Sequence, residues 1–88
     1  MNEDEEFKFK FDFNLEQIKK AIPSVEKTAG ATKKEVCAWR RISLATLNRE
    51  NESGYGIGFV KTDGKTGAII YPLVELAIWQ TNKIVKVV

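Results

Sequence analysis

The chain opens its apolar patterning at "FKFKFDF", where Phe7, Phe9, Phe11 and Phe13 alternate with Lys8, Lys10 and Asp12. A period of two with aromatics on one side predicts a half-buried β-strand. Four phenylalanines on one face need cover, from helices of the same domain or from a second subunit. Asn14 with Gln17 three residues on has the form of a capping box, and Leu15, Ile18 and Ile22 then give a helical stripe that Pro23 ends. "PSVEKTAGA" reads as a connector, with Gly30 as its break.

A second capping-box pattern, Thr32 with Glu35, opens another helix in which Val36 and Trp39 share a face, with Cys37 beside them. This stripe fails at Arg40 and Arg41. Ser43 is a good N-cap for a fresh helix, with Leu44 and Leu47 as its inner positions. The pattern therefore predicts two short helices with a turn at residues 40–42, the second ending near Gly54. Ile57–Thr62 and Ala68–Tyr71 flank "DGKTG", whose Asp-Gly pair predicts a hairpin. Pro72 suits the first turn of a last helix carrying Leu73, Leu76 and Ala77, and "IVKVV" is a short β-prone run. Strands and helices together predict an α+β fold, with residues 1–31 as an N-terminal extension and 32–88 as the main domain.

Composition narrows the functions. Eighty-eight residues hold one small domain, and 43% apolar with 30% charged content is ordinary for a globular chain. Histidine is absent and Cys37 is the sole cysteine, which excludes imidazole catalysis, histidine-ligated zinc and a disulfide framework. No cofactor, metal or catalytic residue is expected. Cys37 reads as a small core residue, and Trp39 and Trp79 as core aromatics. No apolar run is long enough for a membrane span, and the acidic start does not resemble a signal peptide, so a cytoplasmic location without membrane contact is expected. Net charge is +2, unevenly spread: residues 1–31 carry five lysines against seven acidic residues, and residues 32–88 carry nine basic against five acidic. A basic second part suits a polyanionic partner.

Helix, turn, helix, hairpin, helix is the element order of a winged helix-turn-helix. "TKKEVCAWRRISLATLNRE", with the hairpin and "YPLVELAIW" after it, resembles the excisionase-like and MerR-type DNA-binding domains over residues 32–80. Their recurring Thr-x-x-Glu-Val-Ala opening, Val-Ser turn and Thr-Leu-x-Arg are matched by Thr32, Glu35, Val36, Cys37, Ile42, Ser43, Thr46, Leu47 and Arg49. Arg40 and Arg41 stand where the family has Leu and Gly, which implies a different turn or a strained Arg41. The resemblance implies a small winged helix-turn-helix with an added N-terminal strand and helix. It would bind double-stranded DNA as an excisionase-like architectural factor or transcriptional regulator of a phage or mobile element.

On that reading Ser43 and Thr46 suit phosphate oxygens, Leu44 or Ala45 a thymine methyl, Asn48 adenine and Arg49 guanine. Lys33, Lys34, Arg40 and Arg41 are phosphate candidates, with Lys61 and Lys65 reaching out from the wing. The bland reading of these cations is a solvated face, and Glu50 and Glu52 would repel a duplex. A protein-binding module or small inhibitor, docking by strand addition through the phenylalanine strand, is the competing class. The same strand is the expected seam of a homodimer or oligomer. A weaker resemblance, of "FNLEQIKKAIP" and "ENESGYG" to chitinase-like phage lysozymes, would make Glu52 catalytic. Asn51 stands there in place of histidine, and no second carboxylate is evident.

Overall fold

The computed structural model describes residues 3–28, 30–61 and 68–83. Its elements run α1 (Glu3–Ala21), α2 (Val25–Thr28), β1 (Gly30–Thr32), α3 (Lys33–Arg40), α4 (Leu44–Ser53), β2 (Val60–Lys61), β3 (Ile69–Pro72) and α5 (Leu73–Lys83). Helices thus combine with one antiparallel sheet, an α+β arrangement. The Asp-Gly turn, Lys65 and the "IVKVV" run lie outside the described residues.

The phenylalanine segment is helix, not strand. Read at a period of 3.6, Phe7, Phe11, Leu15, Ile18 and Ile22 form one face, and this longer register decides the conformation. Ile18 and Ile22 are buried, and Phe11 and Leu15 pack beside them. Phe9 and Phe13 turn away from that face and are 65% and 57% exposed. Four acidic residues in the first turn and Lys19 and Lys20 in the last complement the helix dipole. Asn14, expected as a cap, lies mid-helix instead. Its buried amide donates to the Thr81 hydroxyl (3.1 Å), which donates to the Ala77 carbonyl (2.7 Å), so α1 and α5 are joined inside the core. The helix ends just before Pro23, as expected, and the Ile22 amide closes the last turn on the Ile18 carbonyl.

The connector holds two elements that the residue pattern does not announce. One is the single turn α2, which buries Val25. The other is β1, antiparallel to β3 with Ala31 opposite Tyr71 and Thr32 opposite Ile70. β2 takes the other side of β3, with Val60 opposite Ile70, so the sheet order is β1-β3-β2. Gly30 is buried against β3, and a Cβ there would stand 2.5 Å from Ile70 Cγ2 and 2.9 Å from the Tyr71 carbonyl oxygen. Only a glycine lets the two strands approach this closely.

One core serves every helix and the sheet: Ile18, Ile22, Val25, Ala31, Val36, Leu47, Ile57, Tyr71, Leu76 and Ala77. The N-terminal 31 residues share it with the remainder. Leu44, expected on the inner face of its helix, is 53% exposed, and Ile42 packs against the core beside it. Trp39 and Trp79 meet edge to face, 6.3 Å between centroids, and both pack on the core, as do Leu73 and Ile69.

The capping box on α3 forms as read. The Thr32 hydroxyl accepts from the Glu35 amide (3.2 Å), and the Glu35 carboxylate accepts from the Thr32 amide (3.0 Å). The Ser24 hydroxyl also donates to that carboxylate. The Ser24 bond first, and the Thr32 bonds after it, hold the Glu35 pKa below the ordinary carboxylate value against a small opposing effect of burial.

Two outcomes follow. Gly30→Ala should destabilise the domain by about 1–3 kcal/mol through overpacking, seen as a fall in thermal midpoint with the helical spectrum retained. For Glu35 the folded pKa lies below the unfolded one, so its contribution is complete above the ordinary carboxylate range and is lost as pH falls through the lowered value. An acid titration of Glu35→Gln should therefore show a shallower loss of stability on that limb than the parent.

Candidate nucleic-acid interface

α3 and α4 are joined by a three-residue turn whose geometry rests on Arg41. This residue caps α3 in the left-handed region (φ 58°, ψ 46°), and its amide and that of Ile42 both return to the Cys37 carbonyl. A side chain in this conformation costs about 1–2 kcal/mol. The turn thus keeps the shape that a glycine would give, with an exposed guanidinium added. Ser43 caps α4 as read, its hydroxyl accepting from the Thr46 amide (3.1 Å) and lying 3.0 Å from the Thr46 hydroxyl. Gly54 ends the helix at φ 79°.

α4 is held by its inner side. Leu47 is buried, and the Asn51 amide donates to the phenol of Tyr71 (2.8 Å). Tyr71 is wholly buried, and the loss of solvent raises its pKa while the Asn51 bond acts in the opposite sense. On the outer side Ala45, Arg49 and Glu52 follow one another at helical spacing and are exposed, with Ser43 and Leu44 at the N-terminal end. Lys34 on α3, Arg41 in the turn that enters α4 and Lys61 on β2 are also exposed.

Arg40 departs from its expected role. Its guanidinium makes two bonds to the Glu50 carboxylate (2.9 and 3.0 Å) and lies 4.2 Å over the Trp79 ring. With 14% of its side chain exposed, it clamps α3, α4 and α5 together and is not a free phosphate contact. The same pair neutralises Glu50, one of the two acids that would have repelled a duplex. Glu52 remains uncompensated on the outer stripe, about 10 Å along the axis from Ala45.

Lys33 is half-buried, and its ammonium donates to the Asn48 side-chain oxygen (2.8 Å). Reading adenine takes both ends of an asparagine amide, so Asn48 is committed to the protein in this arrangement. Thr46 is half-buried and belongs to the cap. Of the expected contacts, Ser43, Leu44, Ala45 and Arg49 are exposed on α4 or at its cap, and Lys34, Arg41 and Lys61 are exposed on α3, the turn and β2. Lys33, Arg40, Thr46 and Asn48 are instead engaged within the protein.

The other expected chemistry finds less. The phenylalanine segment is helical, so it provides no strand for docking by strand addition. Glu52 lines none of the described grooves, which measure about 250–370 Å³. Among the described residues no three acidic or cysteine side chains come together as a metal site, and no helix is long and apolar enough to cross a membrane. Sequence reading missed the Arg40–Glu50–Trp79 clamp, whose members are ten and thirty-nine positions from Arg40 and leave no periodic signal. It also missed Tyr55, which is 85% exposed just past α4. Comparison with family models, curated proteins and solved structures finds no match.

Arg41→Gly should raise the thermal midpoint, because it releases the left-handed strain. The gain stays below about 1–2 kcal/mol, since glycine's freedom in the unfolded chain returns part of it. Arg41→Ala keeps the positive φ and should bring no such gain. Thermal unfolding of the two variants side by side makes the comparison.

Proposed function

We propose that this domain is a winged helix-turn-helix that binds double-stranded DNA without a cofactor. The observation that carries the reading is the division of α4 into a core-held inner side and an uncovered outer side bearing Ala45 and Arg49, with Arg41 exposed in the turn that enters the helix. Two further features support it. A helix precedes β1, two helices with a tight turn follow, and the strands are ordered β1-β3-β2 with a hairpin after α4. This is the connectivity that the winged reading requires. The resemblance of residues 32–80 to excisionase-like and MerR-type domains points to the same use.

In this mode the N-terminal half of α4 enters the major groove. Arg49 reads guanine, and Ala45 or Leu44 packs on a thymine methyl. Ser43, Lys34 and Arg41 hold phosphates, and the β2–β3 hairpin brings Lys61 to the adjoining backbone or minor groove. Lys33 and Arg40 set the helices rather than touching the duplex. The biological role fits a small architectural factor or transcriptional regulator of a phage or mobile element, acting in the cytoplasm.

Fluorescence anisotropy against random and genomic duplexes tests this. Affinity should fall steeply as salt rises from about 50 to 200 mM; binding indifferent to salt would sink the proposal. Arg49→Ala should lose about 1–3 kcal/mol on the preferred site and little elsewhere. Lys34→Ala should weaken all duplexes alike and flatten the salt dependence. Glu52→Gln should tighten binding on every duplex, because it removes the one acid left on the outer stripe.

A further inference from the structure

The outer face of α1 has no role in the DNA reading, and it carries two exposed aromatic rings among its charged residues. Phe9 and Phe13, one turn apart, are 65% and 57% exposed, on the side opposite buried Ile18. Isolated surface apolar residues need no explanation, whereas two exposed rings one turn apart make a continuous apolar strip that water covers at a cost. Their flanks carry both signs: Glu6 and Lys10 before and between the rings, Glu16 and Lys20 after them. Glu6 and Lys10 pair at 2.9 Å, and Glu16 and Lys19 at 3.2 Å.

We propose that a second copy of this chain covers this face, α1 packing antiparallel on α1 with Phe13 at the two-fold axis. The order of charges selects that occupant and that direction. With Phe13 on the axis, each position meets the one equally far on its other side. Lys10 then faces Glu16 of the second copy, Glu6 faces Lys20, and Phe9 lies over the stem of Gln17. The acidic first turn, Glu3 to Glu6, comes to the basic last turn, Lys19 and Lys20, and the two helix dipoles oppose. A parallel pairing would set four acidic residues beside four more and align the dipoles. The face is therefore complementary to itself in one orientation, as a two-fold interface must be. A helix of this length is about 28 Å long, and a seam along it buries on the order of 1,000 Å² in total, the low end for specific association. The dimer is accordingly a concentration-dependent one.

Sedimentation equilibrium of the full chain without DNA, from micromolar to millimolar, should show monomer and dimer in exchange. Phe13→Asp should raise the dissociation constant at least tenfold, with an unchanged far-ultraviolet spectrum showing that the fold is kept. In a Cys37→Ser background, a bis-maleimide matched to the interhelical distance of about 8–10 Å should crosslink Phe13→Cys to itself. It should not crosslink Lys20→Cys, whose mates stand roughly 21 Å apart along the axis. A monomer at every concentration, a dimer indifferent to Phe13→Asp, or crosslinking at both positions or at neither would overturn the proposal. Because no DNA is present, its failure leaves the DNA reading untouched, and the reverse also holds.

Discussion

A phenol with no access to solvent sits at the centre of this domain, and its hydroxyl needs a partner. Burying Tyr71 gains apolar contact for the ring, against Ala31 across the ladder and Phe59 edge-on at 5.9 Å. Leaving the hydroxyl unbonded would cost about 1–3 kcal/mol. Asn51 supplies the bond, and Asn51 stands on α4. The middle strand of the sheet therefore fixes how α4 lies, and with it which of its sides stays outside. The Arg40–Glu50 pair over Trp79 is a second hold on the same helix, from α3 and α5. Two polar clamps and buried Leu47 set the exposed face of a ten-residue helix, too short to hold its shape alone.

This arrangement divides the basic residues into paired and exposed ones. Arg40 and Lys33 are spent on Glu50 and Asn48 inside the assembly, whereas Lys34, Arg41, Arg49 and Lys61 remain in solvent. A count of basic residues would have treated all of them alike. Arginine suits the inner role because its planar fork meets a carboxylate with two bonds while its face rests on an indole. The pairing also takes Glu50 out of the electrostatic balance that a polyanion would feel, which leaves Glu52 as the acid with a cost under the proposed docking.

The legible parts of the fold were those where one local signal acts without rivals. Thr32 with Glu35, Ser43 and Gly54 mark helix ends through bonds and backbone angles made within a few residues, and all of them hold. "FKFKFDF" carries two periods at once, since phenylalanines two apart are also four apart. Only Leu15, Ile18 and Ile22, in phase with Phe7 and Phe11, decide between them, and they lie beyond the alternating stretch. β1 escapes notice for another reason: Gly-Ala-Thr has little strand character, and its conformation comes from β3, some forty residues away. The same holds for the candidate surface. Exposure of Ser43, Ala45 and Arg49 follows from helix period, but Arg40 and Asn48 are withdrawn by partners that only the folded chain brings near.

Arg41 shows what the turn trades for its charge. The two amides that close on Cys37 demand a left-handed residue, and glycine would occupy that place without strain. An arginine there is a standing cost in a chain of 88 residues with little stability to spare. Strain of this kind persists where the surroundings hold it, as the two amides on the Cys37 carbonyl do here. The guanidinium at Arg41 makes no structural bond among the described residues and stands in solvent at the entrance to α4. Among the described residues Arg41 is the one non-glycine at positive φ, and under the proposed docking it would stand where the entering helix meets the phosphate backbone.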